Sequence, residues 1–358
     1  MRRWVVLALG VCISAVFLYI GLQGIHLDIV FQQIGSANLL WLIPGVGVYF
    51  LAVWGRTWRW HFLLRPMKQV SLRRLFPIVV IGYMGNNVYP FRAGEVIRAF
   101  VLKRNENVTI TGSLTTIVVE RLFDGLVMLI FVFAALPFAP IEQDWLRTAV
   151  IGGTLLFFGV LAVFLALAIR PILARKVAKA VITRTLPGRF HLPFIALVDH
   201  FMHGLESLRR PRDLFMTLVS SIFIWLTETT KYWFVMHAFN FEVSFFVLMI
   251  MTAVVNLATT LPAAPGYVGT FDTPGILVLT TFGVKAEVAT SYTLILHAAL
   301  WLPITVLGFY YLIRQGLSWR SFSEASRVVD EAKHALPTDG IETPPEITPE
   351  IGVEGQRV

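Results

Sequence analysis

Long apolar stretches constrain this chain more than any other feature of its sequence. Only 15% of its residues are charged, compared with about 25% in an ordinary soluble domain. A helix needs about 20 apolar residues to cross about 30 Å of hydrocarbon. The sequence therefore predicts an all-α, polytopic helical membrane protein with about six full spans, at residues 4–24, 39–60, 109–136, 146–169, 213–238 and 286–313.

Two further apolar regions, residues 75–91 and 244–284, are interrupted by Pro, Gly and Asn residues. Such breaks leave backbone groups without helical partners, so they are typical of chain that is buried in protein or lines a cavity. We therefore expect two broken or re-entrant helical hairpins. Hydropathy alone also allows residues 75–91 and 244–262 to be full spans, and this choice stays open.

Positive charge indicates the orientation of the chain, because cytoplasmic loops carry an excess of Lys and Arg. These residues concentrate at the N-terminus and in residues 56–74, 92–104 and 170–212. Both termini are then cytoplasmic, and the two hairpins enter from opposite sides of the membrane. Oppositely inserted broken hairpins are typical of inverted-repeat transporters. We expect the basic loop 170–212 to lie on the cytoplasmic surface.

The predicted domain organisation is a transmembrane domain at residues 1–320 and a disordered cytoplasmic tail at 321–358, which is rich in Pro, Glu and Thr. The first apolar run is long for a signal peptide, so we expect an uncleaved helix. The net charge of +8 lies in loops between apolar runs, which favours anionic lipid over nucleic acid as a partner. A single cysteine, Cys12, excludes an intramolecular disulfide and a Cys-rich metal site.

Ionisable side chains cluster in two short motifs of this apolar chain. A charge at membrane depth costs roughly 2.5–3.5 kcal/mol on insertion scales, so such residues are expected to face partners or a watery cavity. In a helix that begins near residue 91, Arg92, Glu95 and Arg98 share one face. One glutamate cannot neutralise two guanidinium groups, and a phosphate would satisfy the remaining charge. An ordinary juxtamembrane basic helix in contact with lipid is the alternative.

The second motif, Glu120, Arg121 and Asp124, falls within about a third of the helix circumference in span 109–136. Its negative excess complements the arginine excess of the first motif. The motif is either an ion-pair network that only fixes helix packing or a network that also lines a site. In span 213–238, Glu228 and Lys231 form either a self-neutralising ion pair or one wall of the same cavity.

The loop at residues 261–272 offers free backbone N–H groups, which can bind an anion through a turn or a helix N-terminus. We expect it to form the second half of the site, and we expect Asp272 to pair with Arg92, Arg98 or Arg121. The histidine spacings predict no metal site, and nucleotide-binding motifs are absent, so no cofactor is predicted. The loop residues assigned to the site are Pro265, Gly266, Gly269 and Asp272.

Taken together, residues 86–98, 120–124 and 261–272 resemble the lysylphosphatidylglycerol synthase transmembrane-region family, whose members are flippase-like integral membrane proteins. The resemblance extends from about residue 5 to residue 315. The best-known members fuse this region to a soluble aminoacyl-transferase domain. Only about 45 residues follow the last predicted span here, so the resemblance implies the translocating region and not the synthase. Family members often carry Glu where Asp272 stands, which keeps the carboxylate.

We therefore expect a protein of the bacterial inner membrane that binds or translocates an anionic phospholipid and is not an enzyme. Its partners are the membrane and an anionic lipid headgroup, whose phosphate Arg92, Arg98 and Arg121 would hold, and a homo-oligomer is compatible with this assignment. Two alternatives stay open. One is an intramembrane enzyme that modifies a phospholipid or polyprenyl-phosphate lipid, with Glu95, Glu120 or Asp124 as acid or base. The other is a membrane scaffold that recruits partners through its tail or its basic loop.

Overall fold

The computed structural model describes residues 2–89, 92–139, 171–185, 211–261 and 263–317, together with scattered residues between 144 and 162 and at 188, 191 and 195. Regular structure in these residues is helical, with short 3-10 turns at Leu39–Trp41 and Pro265–Tyr267. The α-helices are α1 (Arg2–Leu22), α2 (Leu27–Ser36), α3 (Leu42–Leu64), α4 (Leu72–Val88), α5 (Ala93–Glu106), α6 (Ile110–Ala135), α7 (Pro171–Thr185), α8 (Pro211–Met236), α9 (Phe245–Ala258), α10 (Asp272–Thr281) and α11 (Ala286–Arg314).

Helices occupy five of the six predicted spans, and the sixth, at 146–169, lies largely outside the described residues. Among the helices described, the segments Leu39–Leu64 and Ala286–Arg314 are each long and apolar enough to cross a membrane. Helices α1 and α2 meet at a bend of 83° and pass the same test as a pair. Helices α6 and α8 are each 26 residues long and carry charged side chains within their length. The chain is therefore an all-helical polytopic membrane protein.

Each interrupted region takes part in a helical hairpin, although residues 75–88 of the first region form part of a single helix, α4. Helix α4 ends at Val88, and α5 packs against it from Ala93 onward, so the break of the first hairpin is residues 89–92. Helices α9 and α10 pack against each other across a break at residues 259–271. The first hairpin is longer than predicted, because its second arm is residues 93–106 and not part of 75–91. The orientation of each hairpin relative to a membrane stays a prediction.

Glycine allows the two arms of the first hairpin to approach backbone to backbone. A Cβ added at Gly94 would lie 2.5 Å from the backbone nitrogen of Asn86 and 2.6 Å from its Oδ1. A Cβ at Gly85 would lie 2.8 Å from the Cα of Gly94. Side chains do not tolerate such distances, since interiors are close-packed. A side chain at position 94 or 85 would therefore force the two arms apart.

The apolar core consists of two clusters of buried side chains. One is built mainly from α3, α4 and α5, and the other from α8, α9 and α10, while α6 and α11 contribute to both. On α6, Val119 belongs to the first cluster and Val127 to the second. Glu120 and Asp124 therefore lie where the two clusters meet, inside the protein and away from lipid.

Two parts of the fold differ from the sequence-based expectation. Helix α3 continues to Leu64, so Arg56 and Arg59, which were predicted to lie in a basic cytoplasmic segment, are buried inside the bundle. Residues 25–38, which lie between the first two predicted spans, contain α2, which packs on α11 through Val30 and Ser291. Of the basic loop 170–212, the structure describes α7, residues 188, 191 and 195, and the first two residues of α8. The predicted disordered tail at 321–358 lies outside the described residues.

Candidate functional site

A cavity of about 160 Å³ lies where the break of the first hairpin faces the break of the second. Its wall carries many aromatic rings, among them Tyr83, Trp225 and Trp301. Four guanidinium or ammonium groups line the cavity in the described part of the chain, against a single carboxylate. The basic and acidic side chains of this wall are Arg56, Arg92, Arg121, Lys231, Glu228 and His297.

The first ion-pair cluster joins α3 to α8 and consists of Arg56, Glu228 and Lys231. Arg56 Nη1 lies 2.5 Å from Glu228 Oε1, and Lys231 Nζ contacts the other oxygen of the same carboxylate. Arg56 also lies over the ring of Trp225, at 5.3 Å from its centroid. The predicted Glu228–Lys231 pair is present, yet it is not self-neutralising, because Arg56 shares the carboxylate. Two cations and one carboxylate leave this cluster with one positive charge in excess.

The second ion-pair cluster joins α3, α5 and α6 in a continuous chain of contacts. Arg59 Nη1 lies 2.6 Å from Asp124 Oδ1, and Arg121 Nη1 lies 3.2 Å from Asp124 Oδ2. Glu95 Oε1 lies 3.4 Å from Arg121 Nε and 3.5 Å from Arg92 Nη1. The carboxylate of Glu95 therefore bridges Arg92 and Arg121, two of the three described arginines that line the cavity. It does not pair with Arg98, which was one of its two predicted partners.

Arg98 completes the second cluster from behind the cavity. Its Nη2 lies 2.6 Å from Glu120 Oε2, and its guanidinium lies 4.0 Å from the centroid of the Trp60 ring. Glu120 also lies 3.9 Å from Arg59 Nε, and it is fully buried. The arginine excess of one motif thus meets the carboxylate excess of the other, as expected. With Arg98 and Glu120 included, the second cluster holds four guanidinium groups and three carboxylates, again one positive charge in excess.

The structure separates the predicted site residues into those on the cavity wall and those behind it. Arg92, Arg121, Glu228, Lys231 and Gly266 line the cavity. Glu95, Arg98, Glu120 and Asp124 contact the lining residues or one another through ion pairs. Their part in binding a ligand stays a prediction.

The second hairpin contributes a different arrangement from the one expected. Asp272 was predicted to pair with an arginine, but its Oδ1 lies 2.8 Å from His297 Nδ1 and its Oδ2 accepts the N–H of Gly269 at 2.9 Å. Among the described residues, the ion-pair contact of Asp272 is with His297 and with no arginine. His297 Nε2 lies 2.7 Å from the carbonyl oxygen of Gly266. Pro265 begins the 3-10 turn at this point, and Gly266 and Gly269 have φ of 74° and 82°, which glycine adopts without strain.

Direct hydrogen bonds join the two hairpin breaks across the cavity. Arg92 donates from Nε and Nη2 to the carbonyl oxygen of Thr259, at 3.3 and 3.1 Å. Thr259 caps the C-terminus of α9, where a cation is favourable to the helix dipole. Arg92 and Tyr267 both adopt left-handed backbone, with φ of 53° and 60°, and the guanidinium lies 5.8 Å from the Tyr267 ring centroid. Strained backbone of this kind is concentrated at functional sites in proteins.

Sequence reasoning missed several residues of this site. Arg56 and Arg59 were counted as topology signals. Their spacing of three within a Trp-rich helix, Trp54 to Trp60, was the available signal. No comparable signal marked the aromatic and histidine side chains that α3, α4, α8 and α11 contribute to the wall, which are Tyr49, Tyr83, Trp225, Tyr232, His297 and Trp301.

Comparison with known proteins agrees with the architecture. A UPF0104 membrane protein of Methanocaldococcus jannaschii is 21% identical over 84% of this chain and 91% of its own length. A UPF0104 membrane protein of Methanothermobacter thermautotrophicus is 24% identical over 83% of this chain and 90% of its own length. The glycosyltransferase AglD of Haloferax volcanii is 23% identical over 82% of this chain, which spans 52% of that relative's length.

No solved structure matches the chain. The three relatives come from archaea, so a bacterial inner membrane stays a prediction, while location in a membrane follows from the family and the helices. The family described as the lysylphosphatidylglycerol synthase transmembrane region matches residues 7–308. The chain belongs to this family of membrane proteins.

Proposed function

We propose that this protein binds an anionic phospholipid by its headgroup and moves it across the membrane. The observation that carries the proposal is the charge of the cavity wall. Arg56, Arg92, Arg121 and Lys231 face a cavity whose described lining offers Glu228 as its carboxylate. Cations at this depth are costly unless paired, and a phosphate supplies the missing negative charge in a geometry that guanidinium groups match.

The size and lining of the cavity fit a headgroup and not a whole lipid. Its volume of about 160 Å³ accommodates a phosphate with a short attached chain, so the acyl chains would lie outside, among the helices. The aromatic side chains of the wall, including Tyr232 and Trp301, present apolar faces and polar tips. Such a lining suits the boundary between a polar headgroup and its hydrocarbon.

The two hairpins supply a mechanism for movement. Broken helices that meet at a central site are the moving parts of inverted-repeat transporters, in which one half rocks against the other. Here the hydrogen bonds from Arg92 to the Thr259 carbonyl join the two breaks, and a hydrogen bond from Trp301 to the Asn87 carbonyl joins α11 to α4. Because the first of these uses a cavity arginine, a phosphate that recruits Arg92 would weaken the connection and release the hairpins.

Leaflet exchange in proteoliposomes tests the proposal. Fluorescent phosphatidylglycerol and phosphatidic acid are placed in both leaflets, and exchange is followed by quenching of the outer leaflet. We expect exchange with the wild type and its loss with Arg121→Ala. The matched control is Arg65→Ala, because Arg65 pairs with Asp213 away from the cavity. If wild type and Arg121→Ala are both folded and exchange lipid equally fast, the proposed site is wrong.

An intramembrane enzyme is the second candidate, and one comparison favours it. AglD is named a glycosyltransferase, and this chain aligns with about half of it. In such an enzyme the most exposed carboxylate of the second cluster, Glu95, would act as acid or base next to a lipid phosphate. Mass spectrometry of lipids incubated with the protein distinguishes the candidates: a product of new mass that Glu95→Gln abolishes favours the enzyme over the transporter.

A further inference from the structure

The excess positive charge of the site is divided between two separate ion-pair clusters. Arg56, Lys231 and Glu228 form one cluster on α3 and α8. Arg59, Arg98, Arg92 and Arg121 form the other with Asp124, Glu120 and Glu95. In the described part of the chain no ion pair joins the two. Each cluster retains one uncompensated cation, and each reaches the same cavity.

The aromatic residues between the clusters keep them adjacent but distinct. Trp225 Nε1 donates to Asp124 Oδ1 at 2.8 Å, while the face of the same ring lies under Arg56. Tyr83 also lines the cavity, with Arg56 at 5.5 Å from its ring centroid. The two unbalanced charges therefore face one space, one from the cluster on α3 and α8 and the other from the cluster on α3, α5 and α6. A ligand that neutralises both must carry two negative charges.

The phosphate groups of lipids differ in the negative charge that they carry. A phosphodiester headgroup, as in phosphatidylglycerol, carries one negative charge, while a phosphomonoester carries about −1.5 to −2 at pH 7. We propose that the cavity selects a lipid whose terminal phosphate is a dianion, that is, a phosphomonoester or a diphosphate. This inference rests on the proposed function and narrows its substrate class. One monoanion would leave a buried cation uncompensated, which is costly in a partly desolvated site.

Binding of two lipids with identical acyl chains tests the selection. Phosphatidic acid and phosphatidylglycerol compete for the full-length protein in detergent, with bound lipid read by native mass spectrometry. We expect the wild type to prefer phosphatidic acid by about tenfold or more, because the extra charge acts at short range in a low dielectric. Lys231→Met removes the excess charge of the first cluster and should bring the preference close to unity.

A double variant that restores the charge of the first cluster distinguishes the effect of net charge from an effect specific to the Lys231 side chain. In Glu228→Gln/Lys231→Met, Arg56 alone remains, and the first cluster again carries one positive charge. We expect the preference for phosphatidic acid to return in this variant, whereas Arg65→Gln, away from the cavity, leaves it unchanged. A preference that stays lost in the double variant, although the protein is folded and binds phosphatidylglycerol, would overturn the inference.

Three further outcomes bear separately on the inference and on the proposed function. If the wild type binds both lipids equally and exchanges them between leaflets, the dianion inference is wrong and the transport proposal stands. If inorganic phosphate binds and neither lipid does, the ligand is a soluble phosphate, and the lipid assignment fails with the transport proposal. If inorganic phosphate competes only at concentrations far above those of phosphatidic acid, the lipid is supported as the source of the phosphate.

Discussion

Asp272 and His297 form an ion-pair contact of 2.8 Å between α10 and α11, and the opposite ring nitrogen of His297 lies 2.7 Å from the carbonyl oxygen of Gly266. The histidine therefore joins three segments: both helices and the turn that lines the cavity. Asp272 is nearly fully buried, at 2% exposure. The carboxylate that the sequence assigned to an arginine instead holds the turn of the second hairpin in place.

Replacing His297 should destabilise the protein through this turn. In His297→Phe, Asp272 keeps the Gly269 N–H but loses its ring partner, and removing one member of a buried pair costs about 3–5 kcal/mol. Thermal unfolding in detergent measures the loss. The double variant Asp272→Asn/His297→Phe should recover part of it, because the buried charge is gone. If the double variant loses as much stability as Asp272→Asn and His297→Phe together, the pairing is contradicted.

Gly94 offers a second stability test, on the first hairpin. In Gly94→Ala the new methyl group would meet Asn86 at 2.5–2.6 Å, and overpacking of this kind costs about 1–3 kcal/mol or more. Gly47 is the matched control, since a Cβ there meets nothing within 4 Å. Gly47→Ala should leave stability unchanged or raise it by up to about 1 kcal/mol. Size-exclusion profiles and unfolding temperatures of the two variants provide the comparison, and similar stability for both would refute the close approach of α4 and α5.

The sequence predicted the apolar spans and the two interrupted regions, because their signals are local. Apolar length predicts the spans, and the Pro and Gly residues after α4 and α9 indicate that those helices end there. The second arm of the first hairpin, α5, was not predicted as part of a hairpin, because its sequence reads as a basic segment. The opposite charge excess of two motifs predicted that the motifs would meet, and Arg98 and Glu120 do so.

The ion-pair partners of side chains in segments far apart along the chain were less predictable. Arg56 and Arg59 lie next to a basic stretch, so the positive-inside rule assigned them to the cytoplasm, although α3 continues and buries them. For Asp272, three arginines and a histidine were all chemically suitable. Only the arrangement of α10 against α11 places His297 within reach.

Arg59 should be the most sensitive arginine for stability. It is 1% exposed, donates to Ser221 Oγ at 2.9 Å and pairs with Asp124. Arg59→Lys keeps the charge but loses the planar guanidinium that reaches both partners. Because the ion pair is buried, we expect the free energy of unfolding to fall by about 2–4 kcal/mol. Arg65→Lys, on a partly exposed pair with Asp213, should change stability by less than about 1 kcal/mol. Equal effects of the two substitutions on the unfolding temperature would rule out the buried network.

Arg92 allows backbone strain to be separated from side-chain function. Its φ of 53° is left-handed, a conformation that costs a residue with a Cβ roughly 1–2 kcal/mol and glycine much less. Arg92→Gly and Arg92→Ala both lose the guanidinium that contacts Thr259 and Glu95. We therefore expect the glycine variant to be more stable than the alanine variant by about 1 kcal/mol in thermal unfolding. Both should exchange lipid equally slowly in proteoliposomes. If the glycine variant instead exchanged lipid like the wild type, the backbone conformation and not the cation would be the functional feature of residue 92.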